Sequence, residues 1–289
     1  MTLIWWPSAT NIGISKTNNC RYWRMDELFV SWTDVALGVL LLGIPLLLSR
    51  WLQLKLGKDI VKSSLRMIVQ LALIGVYLEY LFKLNNLWVN AAWLLVMMSA
   101  AASNAIKRTP LPRKRLFLPV FAGISCGALL ILGYLLVVIL QPTPWLDARF
   151  AIPLAGMLLG NALTANYLVL DRFYRAVVNQ QPMWMMDLSL GATPWEAALP
   201  YVRQAMRSAW SPTILSMATL GIVSLPGMMT GQILGGNSPL LAIKYQILVM
   251  LSLLACTTLS STLMLMMSLR VTLTPQGVLD PELVKLYRE

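Results

Sequence analysis

Two adjacent thioethers, Met228 and Met229, follow directly on Pro226-Gly227 in the run "SLPGMMTGQILGG", and polar or small side chains recur around them at helical spacing. Met217, Gly221, Ser224, Met228 and Gln232 would share one stripe of a helix. Similar stripes are written by Met157, Asn161 and Thr164, by Gln246, Met250 and Thr257, and by Arg66, Gln70 and Tyr77. Polar groups are costly in lipid, so such faces turn toward each other or toward a water-filled route. The chemistry they suit is the passage of a cargo. Thioether sulfur favours soft ions such as Cu(I), whereas Fe(II) is usually held by imidazole and carboxylate. The chain has no histidine, and Asp34 and Glu79 sit near the ends of their apolar runs. A tight cage for a hard metal ion is therefore not encoded, although a path that must release its cargo needs only weak contacts. Met228, Met229, Asn161 and Gln70 are the candidates for such contacts, and passage of a metal as a complex is the alternative. Methionine stripes also serve simply as core packing, their commoner use.

Other chemistries lack their residues. There is no H-E-x-x-H, no G-x-S-x-G and no histidine for proton transfer, which argues against a hydrolytic enzyme. No G-x-x-x-x-G-K-[ST] loop occurs; "LGKD" at Leu56 to Asp59 has neither the upstream glycine nor the hydroxyl. The chain is expected to bind no cofactor of its own and to hydrolyse no ATP. Cys20, Cys126 and Cys256 are scattered without a C-x-x-C spacing, so no disulfide framework is expected.

The elements that must position these residues are membrane helices. Of 289 residues, 57% are hydrophobic and 12% charged, about half the charge of a soluble domain. Runs that approach the ~20 residues needed to cross the hydrocarbon must be helical, because lipid offers the backbone no other partner. An all-α polytopic protein follows, with about seven spans: Trp32 to Leu48, Met67 to Phe82, Trp88 to Ile106, Phe117 to Leu140, Phe150 to Leu170, Pro212 to Leu234 and Ile243 to Leu269. Pro226-Gly227 falls in the middle of the sixth and invites a break, which membranes tolerate where it is buried in protein or lines a cavity. Of the 23 Lys and Arg residues, 17 fall in the connections after spans one, three and five and in the C-terminal tail, against 6 elsewhere. That bias puts the N-terminus outside and the C-terminus inside, with "KRTPLPRKR" (Lys107 to Arg115) as the strongest inside marker. The basic excess forms no continuous face, so nucleic acid is not the expected partner. The organisation is a tail over residues 1–31, a permease domain over 32–270 and a C-terminal tail over 271–289. Residues 1–24 lack the marks of a signal peptide, and Met25 is an alternative start.

The longest internal connection, residues 171–211, carries structure of its own. Pro182 stops a helix coming from span five, and "MWMMDLSL" (Met183 to Leu190) makes two turns that end at Gly191, a residue suited to the left-handed position after a helix. In "TPWE", Thr193 caps, Pro194 takes the first helical position and Glu196 reaches back as the third. Beyond it, Trp195, Ala198, Leu199, Val202, Met206 and Ala209 form an apolar face opposite Glu196, Arg203 and Arg207, with a kink expected at Pro200. Met183, Trp184, Met185 and Met186 make an apolar knob on the cytosolic side, which lipid headgroups or a protein should cover. Asp187 sits beside it. Gly156 with Gly160, and Gly227 with Gly231 and Gly235, repeat the small-xxx-small spacing that lets helices approach, within the chain or across a dimer axis.

"LSLGATPWEAALPYVRQAMRSAWSPT" resembles the cytoplasmic coupling segment of ABC transporter permeases. "GIVSLPGMMTGQILGG" followed by "AIKYQI" closely resembles the bacterial iron-export ABC permeases of the Fet type, which are related to plant aluminium-tolerance permeases. "IPLAGMLLGNA", "SLGATP" and Arg66 with Gln70 support the match, which runs from Asp34 to Arg270. The resemblance implies an exporter of iron or another metal in the bacterial inner membrane, built from two permeases and two ATPase subunits that hold ATP and magnesium. Its coupling residues would be Met183, Trp184, Met185, Asp187, Leu190, Gly191, Pro194, Glu196 and Arg203. Its path would use Arg66, Gln70, Asn161, Thr164, Ser224, Pro226, Met228, Met229, Gln232 and Gln246. A permease for a small organic solute, and a channel or secondary transporter without ATP, are the alternatives.

Overall fold

The computed structural model describes residues 32–84, 86–142, 146–274, 277–279 and 287. They are helical apart from turns and isolated bridges, and they divide between two compact units, residues 1–74 and 75–289. Six helical stretches among them are long and apolar enough to cross a membrane.

In the first unit α1 (Trp32–Val39) passes through one 3-10 turn (Leu40–Leu42) into α2 (Gly43–Trp51), and the three form one membrane-length stretch. A turn with Gln53 and Lys55 at left-handed φ values of 52° and 55° leads to α3 (Gly57–Leu84), which runs on into the second unit. This helix starts ten residues before the expected span. Lys58, Asp59, Lys62 and Arg66 are helical too, since a 28-residue helix rises about 42 Å and outruns the hydrocarbon. Among the described residues of this unit Ser49 alone is buried.

The second unit is a packed bundle. α4 (Leu87–Lys107) is capped by Asn86, whose Oδ1 accepts from Trp88 N–H at 3.0 Å, and α6 (Ala148–Asn179) by Asp147, which accepts from Arg149 N–H at 3.0 Å. α5 (Arg113–Tyr134) loosens into a π-helical turn (Leu135–Leu140) that ends at Gln141 with φ 45°. α6 is the central element: Ala151, Ala155, Leu158, Ala162, Ala165, Val169, Phe173 and Val177 all turn inward. That stripe does not stop at Leu170, so the helix continues nine residues beyond the expected span.

The tightest packing joins α5 to α10 (Pro239–Thr272). A Cβ on Gly123 would lie 2.4 Å from Met264 Cα, and one on Gly127 2.7 Å from Ser260 Cα. These two glycines, four residues apart, let the helix backbones touch. Within the chain, the glycines expected to do so make no such backbone contact. Around Gly160, Gly227 and Gly231 a Cβ would meet nothing within 4 Å, Gly235 meets only carbonyls of its own helix, and Gly156 meets the Met97 methyl at 3.3 Å. Spacing alone could not distinguish the two sets, because the small-residue pattern is common wherever helices need room.

The sixth expected span is not one helix. α8 (Pro194–Thr219) ends at Leu220, residues 220–226 are non-helical, and α9 (Gly227–Leu234) resumes for eight residues. Pro226 has no N–H and disfavours helix at Leu225, while Gly221 takes φ 84° and donates its N–H to Ser224 O at 2.9 Å. The sequence placed the break in the right region but underestimated it. Pro200, by contrast, lies inside a continuous helix. The carbonyl it leaves unbonded belongs to Glu196, on the exposed first turn, where water can serve it.

Candidate coupling segment and transport route

The connection after α6 folds as two helices around a glycine. α7 (Gln181–Ser189) starts with Pro182 in its first turn and stops at Gly191, whose φ is 93°. Gly191 donates its N–H to Leu188 O and Ala192 to Asp187 O, both at 3.1 Å, the paired bonds of a Schellman stop. α8 then opens with the expected capping box. Thr193 N–H donates to Glu196 Oε2 at 2.8 Å, and Glu196 N–H donates back to Thr193 Oγ1 at 3.3 Å. The Thr193 N–H, then its hydroxyl, hold the Glu196 carboxyl below the usual range.

The knob is smaller than expected. Trp184 is buried: its Nε1 donates to Gly277 O at 3.1 Å and its ring lies 5.7 Å from that of Tyr201. It anchors α7 to the chain's own C-terminal turn, in which Thr274 N–H donates to Val278 O at 2.9 Å. Gly277 is needed there, with φ 79° and Pro194 Cγ only 2.7 Å from where a Cβ would be. Residues beyond 270 therefore brace the segment, a role the sequence reading missed; "TPQG" was the available turn signal. Met183, Met185, Met186 and Leu190 remain outward, joined by Trp195, which is exposed. The inward face of α8 is Ala197, Ala198, Tyr201, Ala205, Met206 and Ala209; Ala198, Met206 and Ala209 are as predicted, while Trp195 is exposed and Ala197, Tyr201 and Ala205 take the inward places instead, close approach to α6 favouring alanine. Arg203 is exposed and Asp187 half-buried.

Three half-open pockets involve α6 and α8 to α10. One, about 210 Å³, is bounded by Asn161 and Thr164 of α6, Pro212, Thr213 and Ser216 of α8, and Met250 of α10. The next, about 530 Å³, has Met217, Gly221, Met229, Gln246 and the same Met250 on its walls. Met250 thus lies on the wall of both a hydroxyl-rich pocket and a thioether-rich one. The third, about 490 Å³, takes Met157, Met228, Gln232, Arg149 and Tyr245. Met228 and Met229 therefore line different pockets, consistent with neighbours about 100° apart on a helix. The predicted stripe from Met217 to Gln232 is likewise interrupted, since Ser224 lies in the non-helical turn before Pro226. Arg66 and Gln70 belong to the first unit, where both are exposed on α3, and the cavities are built from the second unit alone.

Thr213, Ser216 and a buried polar ladder were not anticipated. Asn166 Nδ2 donates to Ser260 Oγ at 3.3 Å, Trp210 Nε1 donates to Ser261 Oγ at 3.1 Å, and Tyr174 OH pairs with Thr272 Oγ1 at 2.9 Å. Their signal was the serine and threonine density of "CTTLSSTLMLMMS" inside an apolar run. Among the described residues no group of three or more His, Cys, Asp or Glu side chains stands ready to hold a metal.

Comparison with known proteins gives these features a family. The chain is 37% identical over 232 residues to a UPF0014 membrane protein of Synechocystis, covering 80% of this chain and 90% of that one. It is 37% identical over 237 residues to the "Probable iron export permease protein FetB" of Escherichia coli, covering 82% and 90%. With "Protein ALUMINUM SENSITIVE 3" of Arabidopsis thaliana it shares 36% over 227 residues, 78% and 81% of the two chains. No solved structure matches. The family described as "Uncharacterised protein family (UPF0014)" matches residues 32–273, the same stretch that folds into these helices, and the chain belongs to that family as a multi-pass membrane protein.

Proposed function

We propose that the chain is the permease subunit of an ATP-driven exporter in the bacterial inner membrane, with its N-terminus outside and its C-terminus inside. The cargo is a metal ion or its complex. The observation that carries this reading is the α7–Gly191–α8 element. It is rigidly stopped, capped and braced from inside, yet presents Met183, Met186 and Leu190 outward at 55% exposure or more. A surface held that firmly suits an element that is pushed by a partner. The partner is a soluble ABC-type ATPase subunit, which supplies ATP and magnesium, while this chain catalyses nothing. Two copies of the permease form the gate, surrounded by lipid. Iron as the cargo is supported by the name of the Escherichia coli relative.

Co-purification with the ATPase tests the proposal. Full-length protein retains the subunit through gel filtration, and Met183→Asp with Leu190→Asp, both on the exposed side of α7, releases it while the permease still elutes as a folded species. Association that survives both changes would place the docking surface elsewhere. Vesicles that move metal at full rate without the subunit or nucleotide would instead identify a channel or secondary transporter.

A further inference from the structure

The half-open pocket of about 530 Å³, whose rim residues Leu225, Ile247 and Leu251 are exposed, draws thioethers from three different helices, Met217 near the end of α8, Met229 of α9 and Met250 of α10. Gln246, one turn from Met250, lines the same space. It is 6% exposed and its Oε1 has no hydrogen-bond partner. A buried carbonyl oxygen without a donor is costly, so it marks a place where positive charge would be welcome. No carboxylate lines the cavity; its other walls are leucine, isoleucine and glycine. We propose that Met217, Met229, Met250 and Gln246 form a way-station for a soft monovalent cation of the Cu(I) class. This rests on the reading of the chain as a metal permease and narrows what that permease can carry as a bare ion.

Charge decides between ions. The cost of stripping water from an ion rises with the square of its charge, so a bare divalent ion costs about four times a monovalent one of equal size. Neutral ligands offset the smaller cost more readily than the larger. Thioether sulfur is polarisable and matches a soft ion, whereas Fe(II) favours imidazole and carboxylate, which this cavity lacks. A hard divalent cargo would have to cross here hydrated or complexed. The space is far larger than an ion, but methionine has three rotatable bonds and can close on one. Met250 also borders the chamber of Asn161, Thr164, Thr213 and Ser216, so an ion exchanging hydroxyl and water ligands there meets its first thioether at the shared wall. Neutral ligation is weak enough to release the ion onward.

The test is equilibrium metal binding to full-length chain in lipid nanodiscs, with Ag(I) as a redox-inert probe and Fe(II) in parallel, each against a competing chelator. The expected result is about one Ag(I) per chain, bound about tenfold more weakly or worse in Met217→Leu, Met229→Leu and Met250→Leu, with a smaller loss in Gln246→Leu and Fe(II) unaffected by any of them. Leucine is close in volume to methionine, so these variants keep the fold, which gel filtration checks. Unchanged Ag(I) affinity across the three leucine variants overturns the site, including the case where Cys126→Ser or Cys256→Ser removes the ion. So does Fe(II) bound as tightly as Ag(I) and lost with the same substitutions. ATPase association is scored on the same preparations: its absence from the unaltered protein would defeat the permease reading and leave the binding result standing.

Discussion

The two units of this chain use the same kind of sequence in opposite ways. Thr33–Trp51 and Gly57–Phe82 are apolar helices in which only 6% of the most apolar window is buried, whereas in Arg113–Leu140 and Ala148–Asn179 the share is 44%. Hydropathy does not separate them: Thr33–Trp51 averages 1.6 and Ala148–Asn179 averages 1.3. What differs is the residue that faces inward. The second unit has Gly123 and Gly127 against α10, and many buried alanine, serine and threonine side chains among its larger core residues. The first has Leu37, Leu40, Leu41, Leu47 and Leu65 pointing outward. In lipid an apolar side chain gains little by leaving the acyl chains for a protein neighbour, so packing depends on close backbone approach and on polar contacts. Small residues let the helices of the bundle close on one another, and larger ones fill the core between them.

The largest effect should therefore come from volume added where backbones touch. Gly123→Leu or Gly127→Val pushes side chain into the α10 backbone and should abolish recovery of monodisperse protein, whereas Gly38→Ala and Gly43→Ala, where a Cβ meets nothing within 4 Å, should leave it intact. Normal yield from the first pair would disprove the close contact. Next in size is Trp184→Ala, which empties a buried site and removes the bond to Gly277; about 3–5 kcal/mol of stability should be lost, read as a fall in thermal unfolding temperature. Trp51→Ala, at 79% exposure, is the matched control and should change little.

A smaller effect belongs to the cap of α8. Thr193→Ala should cost about 1 kcal/mol, measurable by denaturation of the detergent-solubilised chain. Glu196 adds a pH signature. Its carboxyl is held lower in the folded protein than in the unfolded chain, so its contribution is present above the ordinary carboxylate pKa and fades as pH falls through the lowered folded value. Glu196→Gln should thus differ from the unaltered protein at neutral pH and converge with it in acid. Least of all should follow from Leu41→Ala or Leu47→Ala in the purified monomer. A marked loss of a dimer in those variants would sharpen the comparison, because it would mean that a second copy covers the first unit.

Much of the candidate site was legible because it is local. Gly191 after "DLSL" and the Thr193-Pro194-Glu196 cap depend on residues within one turn of each other, and both stand as read. The resemblance carried by "SLPGMM" also held, since the family match covers residues 32–273. Failures came where distant elements decide. Trp184 turned inward because Gly277, 93 residues away, offers a carbonyl. Nor could the sequence say that Met228 and Met229, adjacent in the chain, line different pockets. Small-residue spacing was found in α6 and α9 and overlooked in "GISCG", where it mattered most.

By itself the sequence determined that this is an all-helical membrane protein, where most of its helices start and stop to within a few turns, and that it contains no motif for using nucleotide. Composition and short-range hydrogen bonding suffice for those, because a backbone in lipid has few ways to be satisfied. Only the tertiary structure decided which glycines touch a neighbour, which methionines share a chamber and which tryptophan is anchor rather than surface. Those depend on how each helix is rotated about its own axis, and in an apolar solvent hydropathy says almost nothing about which side of a helix faces in.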